Sequence, residues 1–188
     1  MVPLGRPLHN TKRRVSNFEE LLTGGHPNSL GNTVEVVGEV LSQPERFEEL
    51  FNCYFSQDEV VRLRVSNAMK RICKENESLL IPYLDRFLNE ISEIDQASTQ
   101  WTLAQLFLSL ELHLSHSQKM QARTLLKHNL ATHSDWIVLC QTMETLGHWA
   151  SQDDDLLLWL KPHLHRLTKD SRKAVSKKAT KTIHSLEG

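Results

Sequence analysis

Histidine is the residue type here with the most obvious chemical potential, because a neutral imidazole binds transition metals and a titrating one moves protons near neutrality. The chain holds ten. His113 and His116 are three residues apart, but they fall in Leu112-His113-Leu114-Ser115-His116, a helix end without an acidic partner. His163 and His165 are two apart, so a helix turns them to different sides. There is no His-Glu-x-x-His and no His-Glu dipeptide. Cys53, Cys73 and Cys140 are too widely spaced for a metal knuckle or a disulfide framework, and two lie on apolar helical faces as small buried hydrophobes. The expectation is solvent-facing histidines, no metal, no cofactor and a reducing, cytoplasmic setting.

Two further groupings invite chemistry. Trp149 and Asp153 are four apart. An aromatic face beside a carboxylate is how some helical-repeat DNA glycosylases hold an alkylated base, and the pair resembles that. Asp153 also opens Asp153-Asp154-Asp155, which reads as an N-cap with an acidic first turn. All four tryptophans, Trp101, Trp136, Trp149 and Trp159, lie in apolar helical segments and are expected to pack between layers. Gly24-Gly25 lacks the lysine signature of a phosphate loop. The reading is a non-enzyme with no catalytic residue.

The basic stripes are the sharper clue. Lys119, Arg123 and Lys127 are spaced by four along one expected helix; Lys161, His165 and Lys169 repeat the spacing along a later one. Arg172, Lys173 and Lys177 lie beyond, and Lys12-Arg13-Arg14 stands near the N-terminus. Net charge is −1 overall, yet residues 32–100 carry 13 acidic and 7 basic side chains, whereas residues 161–188 carry 8 basic and 2 acidic. Such asymmetry fits contact with a phosphate backbone or an acidic chain, and equally a solvated helix face.

The elements that position these residues are helices. From residue 45 onward Pro82, Pro162, Gly147 and Gly188 are the only turn breakers, which excludes a β-rich fold. No apolar run is long enough for a membrane span. Residues 1–31 read as a flexible N-terminal arm with a short helix opened by Ser16-Asn17-Phe18-Glu19, and residues 32–188 as one domain. Ser56-Gln57-Asp58-Glu59 is a second expected capping box. Helices are expected at 34–41, 44–55, 59–72, 79–92, 97–113, 117–131, 135–150, 153–168 and 171–185. Ile72, Leu110, Leu146 and Ile183 align at steps of 38, 36 and 37 residues. Ala68, Leu106, Thr142 and Ala179 stand four earlier, and Val65, Leu103, Leu139 and Ser176 seven earlier. Each unit is one helical hairpin that buries its apolar face by stacking on the next. In the last helix Val175, Ala179, Ile183 and Leu186 form an inner stripe, with Lys173, Lys177, Lys178 and Lys181 outside.

Asp58-Glu59-Val60-Val61-Arg62, followed by Val65 and Ala68, resembles the first helix of a HEAT repeat, where an Asp opens the helix and a Val-Arg pair follows. Gln100-Trp101-Thr102-Leu103-Ala104-Gln105 adds to the likeness to small stand-alone bacterial HEAT-repeat proteins. Trp136 and Lys173 stand where Arg62 does, so the later units depart from the pattern. The resemblance implies an all-α, right-handed α-α superhelix, an ARM-like solenoid of about four hairpins plus a terminal capping helix. Its second helices would line the concave side. The function this implies is a protein–protein interaction scaffold holding an unidentified protein partner there. Nucleic-acid or other polyanion binding through the basic stripes is the alternative. An enzyme of helical-repeat type, a DNA glycosylase or a bilin lyase component, is the remaining one.

Overall fold

The computed structural model describes residues 17–188. Within them lie ten α-helices joined by short 3₁₀ turns, and no strand. The helices are α1 (Phe18–Leu22), α2 (Thr33–Ser42), α3 (Phe47–Asn52), α4 (Glu59–Glu75), α5 (Leu84–Asn89), α6 (Ala97–Ser109), α7 (His116–Thr132), α8 (Trp136–Ala150), α9 (Asp154–Leu167) and α10 (Lys173–Glu187). No helix among the described residues is long and apolar enough to cross a membrane.

Side-chain caps start five of these ten helices. Ser115 caps α7 in a reciprocal capping box with Gln118, Asp135 accepts from the Ile137 and Val138 amides, and Asp153 accepts from Leu156. Two expected boxes resolve differently. Asp58, not Ser56, caps α4 by accepting from the Val60 amide, while the Ser56 hydroxyl accepts from the Asp58 amide. Asn17 caps α1, accepting from Glu19; Ser16 lies outside the described residues. The expected helices at 44–55 and 79–92 are each a short α-helix flanked by 3₁₀ turns. Pro44 and Pro82 each stand in the 3₁₀ turn that leads into the α-helix, where a missing N–H costs nothing.

Alternate helices pack on one another: α2 on α4, α4 on α6, α6 on α8 and α8 on α10. Between them α5 lies against α7, α7 and α9 each against α8, and α9 against α10. One apolar core runs from Phe18 to Ala179. At its N-terminal end Phe47, Phe51, Tyr54, Tyr83 and Phe87 form an aromatic cluster with ring centroids 4.7–6.5 Å apart. Further along, the buried Gln100 amide donates to the Ser92 and Ile94 carbonyls and accepts from Asn129, tying α6 to α7. Thr145 of α8 donates to the Ala104 carbonyl of α6 over 2.7 Å.

Packing continues through residues 17–31. Phe18 and Leu22 are fully buried, and the Arg46 guanidinium lies 3.8 Å above the Phe18 ring. Arg64 of α4, only 2 % exposed, donates to the carbonyls of Leu22 and Gly24 at 2.6 Å, Ser29 at 3.2 Å and His26 at 3.3 Å. Its guanidinium is held by carbonyl dipoles. Gly31 has φ +51°, and a Cβ there would stand 2.9 Å from the Arg64 Cζ, so both backbone and space call for glycine. Residues 1–16, including Lys12-Arg13-Arg14, lie outside the described residues.

Candidate functional site

Lys119, Arg123 and Lys127 line one flank of α7, but each is engaged within the chain. Lys119 pairs with Glu111 at 2.5 Å and lies 5.3 Å from the Trp149 ring centroid. Arg123 pairs with Asp153 at 2.6 Å. Lys127 sits 4.5 Å above the Trp159 ring, which stacks on His163 at 4.1 Å. Arg166 donates to the Leu130 carbonyl over 3.0 Å. This seam joins α7 to α9 through the Trp159, His163 and Arg166 side of α9.

The second stripe is on another side of α9. At about 100° per residue, Lys161 and His165 stand roughly 200° and 240° round the helix from Trp159, and Lys169 lies in the turn beyond the end of α9. Lys161 and His165 turn away from α7, and the two stripes do not merge into one ridge. Lys161, Lys169, Lys173 and Lys177 are exposed, and among the described residues none makes an ion pair. Arg172 is a clamp: it bonds Asp170, whose carboxyl it holds down at about 2, and also the Ser134 carbonyl. Lys178, expected on the outer face of α10, is half-buried and pairs with Glu144 of α8.

The aromatic–acid pair is placed differently from what a base-binding pocket needs. Trp149 is 4 % exposed, and its Nε1 has no hydrogen-bond partner. Asp153 is occupied by the α9 cap and by Arg123. Beside them a recess of about 440 Å³ is lined by Leu112, Met120, His148 and Trp149 among others. Trp159 packs partly into the core, but Trp101 is only half-buried and Trp136 is 47 % exposed, so the expectation of four core tryptophans does not hold. His113 has an acidic partner after all, Glu77 at 3.0 Å, delivered by the turn after α4; His148 meets Glu111 at 3.0 Å. No group of three potential metal ligands occurs among the described residues. Cys53 and Cys73 are buried, and burial raises their thiols to about 12 and about 11; Cys140 is half-buried.

A larger recess lies elsewhere among the described residues. A groove of about 840 Å³ crosses α4, α6 and α8, and Asn67, Lys70, Arg71, Lys74, Gln105 and Gln141 line it. None of its three cations has a carboxylate partner among the described residues; Arg71 donates to the Asn67 side chain over 2.7 Å. Burial, then the neighbouring Arg71 charge, holds the Lys70 ammonium below its ordinary range. Glu77, at one end of the groove, is taken by His113. These residues were not among the sequence-derived candidates. The signal was present in the repeat register: five positions before Ile72, Leu110 and Leu146 stand Asn67, Gln105 and Gln141.

No protein-family model, curated protein or solved structure matches this chain.

Proposed function

We propose that this chain is a non-enzymatic interaction scaffold, a short HEAT-like solenoid that holds a protein partner along its row of first helices. The observation that carries the reading is the continuous packing of α2, α4, α6, α8 and α10, with an open groove crossing three of them. Stacked hairpins expose long surfaces whose use is recognition. The resemblance to HEAT repeats alone would assign the partner to the second helices. The engaged state of Lys119, Arg123 and Lys127 favours the first-helix side instead.

A photo-crosslinking amino acid placed at Gln105 of the full chain in native lysate tests this, with and without nuclease. One discrete protein adduct that survives nuclease is the expected result. Loss of all adducts on nuclease treatment, or no adduct at all, overturns it.

A second reading keeps the exposed, unpaired cations Lys161 of α9, Lys169 of the turn after it, and Lys173 and Lys177 of α10 as a polyanion contact. It requires affinity for an oligonucleotide that falls linearly in log–log form with salt. Replacing these lysines by Gln lowers both affinity and slope. Salt-independent binding removes it.

A further inference from the structure

We propose that the groove across α4, α6 and α8 seats an extended acidic peptide, its backbone held by Asn67, Gln105 and Gln141 and its carboxylates by Lys70, Arg71 and Lys74. The inference rests on the scaffold reading and names the partner's chemistry.

The amide row is a consequence of the repeat. Three primary amides occupy one register position on three consecutive first helices, and all line one groove. A primary amide offers an acceptor for a peptide N–H and donors for a peptide C=O, so it can pair with both groups of a peptide backbone. Each has unused capacity. The Asn67 carbonyl accepts from Arg71, leaving its amino group to donate. The Gln141 side chain makes no hydrogen bond among the described residues. The Gln105 Oε1 is shut off from solvent with no donor, an arrangement that is unfavourable for a buried acceptor. Turning that amide into the groove, which Gln105 already lines, brings the acceptor to a ligand N–H.

The spacing suits an extended chain running across the helices. Packed helices stand about 8–10 Å apart, and an extended chain rises about 3.3 Å per residue. Each amide therefore meets the ligand backbone about every third residue. Four positions before the amides stand Leu63, Trp101 and Ile137, all half-buried. One helical turn separates them from the amide row, on the same face, and they offer contact to apolar ligand side chains. Lys70, Arg71 and Lys74 have no carboxylate partner among the described residues, and the Glu77 carboxylate is engaged by the His113 ring, so the complementary ligand is acidic. A nucleic acid would use the lysines and leave the amide row idle.

A dodecamer peptide-display selection on the full-length protein tests the inference. The best enriched sequence is then synthesised as a fluorescent probe, alongside a backbone N-methylated copy and oligo-dT of the same length. The expected peptides carry net negative charge. The probe loses at least about tenfold in affinity on N-methylation, in Gln105→Ala/Gln141→Ala and in Lys70→Gln/Lys74→Gln. Circular dichroism melts within a few degrees of wild type establish that these variants fold. Enrichment of neutral or basic peptides, no enrichment, or affinity unchanged on N-methylation or in the amide variants overturns it. So does oligo-dT binding as tightly as the peptide. A nuclease-resistant protein adduct from Gln105 together with failure of the peptide arm leaves the scaffold and removes the extended-peptide ligand. Absence of both removes both.

Discussion

At the scale of single residues, Arg64 shows what a buried charge can be for. Four carbonyls from residues 22–29 surround its guanidinium, so one side chain of α4 closes a loop that has little apolar material of its own. Replacing it strands carbonyls and loosens the segment. Arg64→Met is expected to lower unfolding stability by about 2–4 kcal/mol in urea titrations and to open residues 23–31 to proteolysis. An unchanged midpoint would show the clasp to be passive. His163 is the other residue with a consequence in solution. Burial, then Arg166 and Lys127, pushes its imidazole below its ordinary 6.5. Folding thus favours the neutral ring, and the unfolded chain takes up the proton first as pH falls. The stability this contributes is whole above about pH 6.5 and is lost as pH drops from there through the folded value. Proton NMR of the His163 ring is expected to titrate with a midpoint below 6.5; a midpoint above it would reverse the sign. The sequence placed His163 and His165 on different sides of one helix. The Trp159 neighbour of His163 follows from four-residue spacing on one helix, whereas Lys127 comes from another helix.

At the scale of elements, the contact of α8 with α10 depends on one missing methyl. A Cβ on Gly147 would stand 2.7 Å from the Thr182 Cγ2, so either the Thr182 side chain or the helix spacing must give. Gly147→Ala is expected to destabilise the protein by about 1–3 kcal/mol through overpacking, despite the better helix propensity of alanine. Thr182→Ser removes the opposing methyl, so the double variant is expected to recover most of the loss in a double-mutant cycle. Additive losses would place the strain elsewhere. Helix positions were largely legible from capping residues and three-four spacing, as in α7, α8 and α9. The 3₁₀ interruptions around α3 and α5 were not, since aromatic packing and proline geometry there override periodicity.

At the scale of the whole molecule, stability is distributed along the packed row, so each helix covers its neighbours. Val175 and Ala179 of α10 are fully buried, with Ile183 and Leu186 packed beside them. Truncation after Asp170 uncovers α8 and α9. A loss of about 4 kcal/mol or more is expected from side chains worth about 1.5–3 kcal/mol each, together with new binding of a hydrophobic dye. Full stability of the truncated chain would mean that α10 contributes little to the shared core.

The sequence by itself determined the helices, their near-regular recurrence and the all-helical class, because three-four apolar spacing and capping are local properties of the chain. It also contained the amide row at 67, 105 and 141, which becomes visible only once the repeats are laid in register. The tertiary structure alone decided which charges are free. Lys119, Arg123 and Lys127 looked like an open stripe, yet Glu111, Asp153 and Trp159 occupy them. Arg64, which no sequence signal singles out, is buried among carbonyls. Asn67, Gln105 and Gln141 looked ordinary and line the groove across α4, α6 and α8. The physical reason is shared: helix periodicity says which side of its own helix a residue occupies, whereas its partner comes from another element, 8 to 42 positions away, that only packing brings within reach.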